Sequence, residues 1–479
     1  MCKGRKNVIF VAIFCVPLIS KYHTVRPVFN TEGPQFYMET YGCQMNVADS
    51  EVVVSIMQDG GYSLCKEIGL ADVIFVNTCS IRENAEQRIW GRLDLFLQYK
   101  KRKPSLKVGV LGCMAERLKE ALLHHSAVDI VAGPDSYRQL PKLIEAVQQG
   151  GKMMETRFNP EETYADISPV RYDPNGVSAF VSIMRGCNNG CAYCVVPFVR
   201  GRERSRDPKT IEREVIELIS NGYKEVTLIG QNVDSYLWID PQNPTQQLNF
   251  AQLLEVVALV DPQLRVRFAT SHPKDMSHGV LYTMAMYPNV CKHVHLPVQS
   301  GSDHILKKMN RKYTRQEYLE RVDALRLIVP HCTLSTDFIA GFCDETPQDH
   351  ADTLSLMQEV GFDQAFMFQY SERPDTKAAK MFTDNVPQEV KTQRLNEIIA
   401  LQNTLSLQSN QRDIGQTFEV LVEGTSKRSS DDFWGRTSQN KVCVFPRGGC
   451  NIGDYVDVTI NSCTSATLVG TILDKSPHS

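Results

Sequence analysis

Ser182-Ile-Met-Arg-Gly-Cys-Asn-Asn-Gly-Cys-Ala-Tyr-Cys-Val-Val-Pro-Phe-Val-Arg-Gly-Arg-Glu-Arg-Ser-Arg206 places three cysteines on one short loop. Cys187, Cys191 and Cys194 follow an apolar, strand-like run and precede a cluster of arginines. Three soft thiolates at this spacing can hold an iron–sulfur cluster or a zinc ion. A structural zinc site normally closes with a fourth ligand, and no further cysteine or histidine lies in the local window. Three ligands leave one metal position open to something other than protein.

Working outward, strand-like runs recur at 178–184, 225–230, 265–270, 293–298, 333–340 and 362–370. Helical patterns lie between them, as at 210–221 and 315–328. Six βα units in succession argue for a complete or partial (β/α) barrel. The triplet then sits just after the first strand, at the face where such barrels carry their sites.

Upstream, short apolar runs at 35–41, 71–77, 107–111 and 128–132 alternate with helical patterns, which predicts an open parallel α/β domain. A helix is expected over 49–60, with Asp49 near its N-terminus. Three of these strands end in a cysteine: Cys43, Cys79 and Cys113. Ligand sites in open α/β sheets form at the carboxyl ends of strands, so the three could converge. Equally, each could be a buried small hydrophobe, as free cysteines usually are. A polar segment with Asn159-Pro160, Asp173-Pro174 and Asn175-Gly176 reads as the linker between the two domains.

Downstream, one helix is expected over 388–407. From Gln411 the pattern turns to short strands at 417–423, 434–445, 455–460 and 466–473, punctuated by glycines, which predicts a small all-β, OB-like barrel. Lys427, Arg428, Arg436, Lys441 and Arg447, with Phe433 and Trp434, make a basic, aromatic RNA-binding face or a solvated β surface. The expected division is therefore an extension at 1–34, an α/β domain at 35–152, a barrel at 172–410 and a β domain at 411–475.

Composition is that of an ordinary globular protein, with 42% hydrophobic and 22% charged residues and a net charge of −3. Nucleic-acid binding would have to come from local clusters such as Lys100–Lys103 or Arg200–Arg206. Fifteen cysteines in 479 residues are too sparse for a disulfide scaffold. Thiolate-bound metal implies a reducing compartment, hence the cytoplasm. At the N-terminus, Lys3, Arg5 and Lys6 precede an apolar run at 8–19 that is too short to span a bilayer and lacks a cleavage motif. The extension reads as an over-long start or, alternatively, a mitochondrial presequence. No membrane association is expected.

The triplet, with Tyr193 inside it, on the loop after the first barrel strand resembles the radical S-adenosylmethionine (SAM) superfamily. That resemblance implies a 4Fe–4S cluster on Cys187, Cys191 and Cys194, with SAM on the open iron. Tyr41-Gly-Cys-Gln-Met-Asn46, Asn77-Thr-Cys-Ser-Ile-Arg-Glu-Asn-Ala85 and Gly112-Cys113 sharpen it. With the triplet they resemble the methylthiotransferase family, which joins a three-cysteine cluster domain, a radical SAM domain and a TRAM domain. The first two strings, together with Gly435-Arg-Thr-Ser-Gln-Asn-Lys441, are similar to the MiaB branch, which methylthiolates carbon 2 of N6-isopentenyladenosine at tRNA position 37. The resemblance implies a second 4Fe–4S cluster on Cys43, Cys79 and Cys113 that handles sulfur, with SAM as both methyl donor and radical source. It implies contact with a tRNA anticodon loop, in which Arg200–Arg206 would meet phosphate, and dependence on an electron donor and a sulfur source. A monomer is expected.

Gln231, Asn232, His295, Gln299, Ser300 and Arg311, together with His272, fall at or just after strand ends and match family motifs; Asp337, on the fifth strand, reads either as orienting a polar cofactor group or as making a buried structural hydrogen bond. The resemblance makes the motif residues candidates for SAM or substrate contact; the plainer reading of the histidines is that they are satisfied core residues. Two departures from the pattern stand out. Cys343-Asp344 replaces the usual Pro-Gly, which puts backbone contacts near Glu345 in question, and Asp375 stands where glycine is usual. Cys65, Cys291, Cys332, Cys343, Cys443, Cys450 and Cys463 read as unligated thiols. The alternatives are methylthiolation of threonylcarbamoyl-adenosine or of a ribosomal protein, and, from another class, a non-catalytic iron–sulfur RNA-binding protein.

Overall fold

A computed structural model describes residues 33–80, 83–171 and 176–473, without the side chains of residues 83–85. The basic N-terminal extension, and the Ile81–Arg82 part of the second cysteine string, lie outside the described residues.

The first domain is a six-stranded sheet, β1 (Gln35–Thr40), β2 (Ser63–Leu64), β3 (Val73–Thr78), β4 (Lys107–Gly112), β5 (Ile130–Ala132) and β6 (Met153–Glu155). Its spatial order is β2-β1-β3-β4-β5-β6, and every pairing is parallel. A parallel sheet is covered on both faces, so its central strands are mostly apolar; β3 is buried at all six positions, including Asn77 and Thr78 at its end. Phe36, Val53, Met57 and Phe75 pack on one face, and Ile74, Val76, Leu93 and Phe96 on the other. Strand order reverses between β1 and β3, and this reversal opens a crevice at their carboxyl ends. Cys43 and Cys79 follow β1 and β3, the strands that border that crevice, and Cys113 follows β4, next to β3. The helix expected at 49–60 starts earlier, spanning Gln44–Asp59, with Cys43 at its N-cap. Asp49 is therefore not a terminal residue but a buried one in the second turn.

The central domain contains all six strands expected from the sequence: β7 (Ser178–Ser182), β8 (Glu225–Ile229), β9 (Arg265–Ala269), β10 (His293–His295), β11 (Thr333–Ala340) and β12 (Gln364–Gln369). They form two parallel three-stranded sheets, β9-β8-β7 and β10-β11-β12. A bridge between Val266 and Val290 helps join them. Among the described residues β7 and β12 each pair on one side alone, so the barrel is partial. Along each strand one set of alternate residues, such as Val226, Leu228, Val266 and Phe338, packs beneath the helices. The other set, including Glu225, Arg267 and Asp337, faces the lumen.

The last domain is a closed barrel of β13 (Thr417–Thr425), β14 (Asp432–Thr437), β15 (Val442–Pro446), β16 (Tyr455–Cys463) and β17 (Leu468–Ile472), reached through the helix Gln388–Gln411. The segment expected as one strand at 434–445 is a hairpin, β14 paired with β15; Asn440 takes φ +61° in the connecting turn, a conformation asparagine tolerates.

This domain caps the N-terminal end of the central barrel. Arg265 donates to the Arg436 carbonyl at 2.6 Å, Arg267 to that of Thr437 at 2.7 Å, and Arg436 to Glu225 at 2.6 Å. Lys441 binds Asp413 at 2.6 Å and reaches the Ser409 hydroxyl, on the helix leading from the barrel domain, at 2.9 Å. Arg436 and Lys441 therefore dock domains and do not belong to an exposed RNA face. Lys427, Arg428 and Arg447 remain exposed, with the Arg447 guanidinium 4.8 Å above Phe433.

Asp344 and Asp375 hold φ of +63° and +70°, so these aspartates adopt left-handed conformations without glycine. Around the first, Glu345 accepts from Gly341 N and from Arg394, each at 2.7 Å. No helix among the described residues is long and apolar enough to cross a membrane.

Candidate active site

The triplet loop is held from two sides. Ala192 N donates to the Met309 carbonyl at 2.8 Å, Asn310 Nδ2 to the Gly190 carbonyl at 2.7 Å, and Ala378 N to the Ala192 carbonyl at 2.8 Å. Arg311, buried, donates through Nη1 to Cys191 Sγ at 3.3 Å and through Nη2 to the Pro297 carbonyl at 2.6 Å. Tyr193 Oη lies 3.4 Å from the same Nη1. Burial pushes the Cys187 and Cys194 thiols up to about 12. A bound metal would reverse that preference, since metal ligands are deprotonated.

The dispersed cysteines are positioned by their neighbours. Gly42 and Gly112 hold φ of +134° and +89°. A side chain at either would collide, with the Cys79 Cβ and with Asn77 Oδ1 respectively. Asn46 and Asn77, both fully buried, clamp the strand ends together. Asn46 Nδ2 reaches Asn77 Oδ1 and the Thr78 carbonyl, each at 3.1 Å, while Asn77 Nδ2 reaches the Asn46 carbonyl at 2.9 Å. This explains why asparagine accompanies cysteine in both strings. Contact with the Cys79 thiol, aided by the Arg200 charge, holds the Cys43 thiol down to about 6.

Both sets open into one chamber of about 290 Å³. Its wall includes all six cysteines, Tyr193, Gln231, His272, Gln299, Arg311 and Asp337. Among the described residues no three donors gather closely enough for a single metal ion, and cysteines on different irons of a cluster need not do so. Buried Gln231 Oε1, Ser271 Oγ and His272 Nε2 have no partner. These unpaired acceptors and donors beside the triplet fit a small polar ligand such as SAM. Burial, then the Arg311 and Lys274 charges, depress His272 to about 2, so it is neutral.

Three expected contacts stand outside the chamber wall. Asn232 donates to Asp275 at 2.8 Å. Ser300 is turned toward Thr353, at 3.3 Å, and accepts from Ser302 N. His295 borders the wall, 2.9 Å from Ser335 and 3.5 Å from Asp337.

The arginines expected to meet phosphate have internal partners. Arg200 binds Asp49 at 2.7 Å and Cys113 Sγ at 3.2 Å; Arg204 binds Asp135 at 2.7 Å; Arg206 binds Glu214. Only Arg202 of this cluster is exposed. Arg185 also donates to Asp49, at 2.7 Å. Burial pushes the Asp49 carboxyl up, but the two guanidiniums hold it below the usual carboxylate range. These pairs join the first domain to the barrel. The Lys100–Lys103 cluster is half paired as well, Lys100 with Asp129 and Lys103 with Asp72. Sequence reading missed Asp49, Arg185 and Ser271 as parts of the site. The available signal was Arg185 immediately before Gly186-Cys187, and Ser271 at the end of β9.

Three family descriptions match the chain. The uncharacterized protein family UPF0004 covers residues 35–133, the radical SAM superfamily 181–357 and the TRAM domain 411–473. Curated relatives named tRNA-2-methylthio-N(6)-dimethylallyladenosine synthase include those of Bacteroides fragilis and Phocaeicola vulgatus, 58% and 57% identical. Each alignment covers 92% of this chain and 96% of the relative. The Porphyromonas gingivalis protein of the same name is 52% identical over 93% of this chain and 96% of its own. Among solved structures, the radical SAM methyltransferase TsrM from Kitasatospora setae matches with a TM-score of 0.54 at 13% identity, over 72% of this chain and 75% of its own. The cobalamin-dependent radical SAM enzyme OxsB matches at 0.50 and 14%, over 77% and 56%. At those identities the likeness is one of fold.

Proposed function

Because this chain belongs to the tRNA-2-methylthio-N(6)-dimethylallyladenosine synthase family, we propose that it replaces the hydrogen on carbon 2 of N6-isopentenyladenosine, at tRNA position 37, with a methylthio group. The observation that carries this reading is that two cysteine trios open into one chamber. Radical formation and sulfur transfer can therefore address the same substrate carbon.

In this reading Cys187, Cys191 and Cys194 hold a 4Fe–4S cluster, and Cys43, Cys79 and Cys113 hold a second. Bound at the first cluster, SAM supplies a radical able to abstract an unactivated hydrogen, and SAM also supplies the methyl group. The chain's own residues orient and exclude. Arg311 pins Cys191 and Tyr193 to the Pro297 turn. Gln231, Ser271 and His272 offer unpaired polar atoms to SAM, and Gln299 and Asp337 complete the wall on the barrel side. Val195, Val196 and Val199 line the same chamber, an apolar stretch that keeps water from a reactive centre. The substrate enters as part of a tRNA anticodon loop. The protein acts as a cytoplasmic monomer, with the boundaries expected from sequence, and draws sulfur and electrons from external donors.

The test is mass spectrometry of nucleosides after anaerobic reaction with SAM, reductant and isopentenylated tRNA. The 2-methylthio product is expected. Product formed only on threonylcarbamoyl-adenosine tRNA, or only on a ribosomal protein, would overturn the reading in favour of a sibling activity.

A further inference from the structure

Arg200 closes the short helix Val196–Arg200 that follows the triplet, so it belongs to the barrel domain. Its head nevertheless lies against the first domain and is 3% exposed. Nε donates to Cys113 Sγ at 3.2 Å and Nη2 to Asp49 Oδ2 at 2.7 Å. Nη1 is buried and has no partner, while the residue forms part of the chamber wall beside Cys43, Cys79 and Cys113. A buried donor without a hydrogen bond is costly, so a donor left free here points to an acceptor that occupies the chamber in the loaded protein. Charge points the same way. Asp49 is one carboxylate shared between Arg185 and Arg200. Asp135, also paired with Arg204, lies 3.8 Å from Arg185 and is not within pairing distance of Arg200. Arg200 therefore has no carboxylate to itself.

We propose that Arg200 is the anion-holding residue of the sulfur site: one N–H rests on the Cys113 sulfur, and the free Nη1 receives the anionic sulfur, sulfide or methanethiolate, bound at the open iron of that cluster. The inference rests on reading Cys43, Cys79 and Cys113 as cluster ligands. It gives the barrel domain a direct hold on the sulfur to be transferred. The donor is supplied from six residues after Cys194. Arg200 acts here as a positioning residue, through a ligand and not on the substrate carbon.

The test uses the full chain carrying Cys187→Ala, Cys191→Ala and Cys194→Ala, reconstituted anaerobically so that only the second cluster contributes. If this protein holds no iron, the cluster reading itself fails. If it holds about four irons, methanethiolate is titrated while the spectrum of the reduced cluster is followed by electron paramagnetic resonance. Adding Arg200→Gln should weaken thiolate binding about tenfold to a hundredfold, the loss of one charge-assisted hydrogen bond. Arg200→Lys, which keeps the charge but not the fork, should fall between. Unchanged affinity in both variants would overturn the proposal. So would loss of iron in both, since Arg200 would then be a structural pin for the Cys113 segment.

Discussion

Cys187, Cys191 and Cys194 share a single loop, whereas Cys43, Cys79 and Cys113 come from three strand ends far apart in the chain, yet both sets face one chamber. The loop set depends on local conformation and on backbone clamps from Met309, Asn310 and Ala378. The strand-end set depends on sheet register, two glycines at positive φ and the Asn46–Asn77 clamp. The electrostatics differ in step. Burial pushes two loop thiols up to about 12, while the Cys79 contact and the Arg200 charge hold Cys43 down to about 6. A short motif can thus make its own site, but a dispersed one must borrow positioning groups, and here one of them comes from the neighbouring domain.

That contrast can be broken most sharply at the loop. Cys191→Ala should reduce reductive cleavage of SAM to background, read as 5′-deoxyadenosine; persistent cleavage would remove the triplet as radical site. Next, Cys43→Ala should lower iron from about eight to about four per chain and abolish methylthiolation while SAM cleavage continues. A count of about four in the unsubstituted protein, unaltered by the change, would show that the strand-end set binds no cluster.

Asp49→Ala strands two buried guanidiniums and should cost about 3–5 kcal/mol of stability, measured by denaturant unfolding. A loss below about 1 kcal/mol would mean the interdomain pin is redundant. Because the folded Asp49 carboxyl is held below its usual range, its contribution is present above the ordinary carboxylate pKa and fades as pH falls through the folded value. Asn77→Ala should cost about 1–3 kcal/mol and impair iron retention at the strand-end set alone. Equal loss from both sets would contradict their independence. The smallest effect is expected at the exposed β-domain cations: Lys427→Glu with Arg428→Glu should weaken tRNA binding a few-fold and flatten its salt dependence, with no change in SAM cleavage. An unaltered salt slope would leave them as solvated surface.

Much of the architecture was legible because its signals are periodic. Six strand runs of the central barrel appear where alternation placed them, and so do the parallel strands ending in Cys43, Cys79 and Cys113. Boundaries were less legible: Cys43 capping the Gln44–Asp59 helix moved its start back by more than a turn. The hairpin turn at Asn440 was hidden inside one apolar run, since a left-handed asparagine carries no hydrophobic signature. Ser300 and Asn232 match family motifs just after strand ends, and which groups their side chains meet, Thr353 and Asp275, was set by the fold.

By itself the sequence determined the local triplet, the order of the three domains and the family to which they belong, because each is written in spacing or periodicity along the chain. Only the tertiary structure decided what the charges do. Arg200, Arg204 and Arg206 read as a phosphate-binding run, and Arg436 and Lys441 as an RNA face. Folding instead pairs all five with carboxylates, four of them through partners more than ten residues away. A charge is visible in a sequence, but its partner is set by distance in space, and burial makes that partner obligatory. The triplet was readable from its own few residues; the neighbouring arginine that touches Cys113 was not.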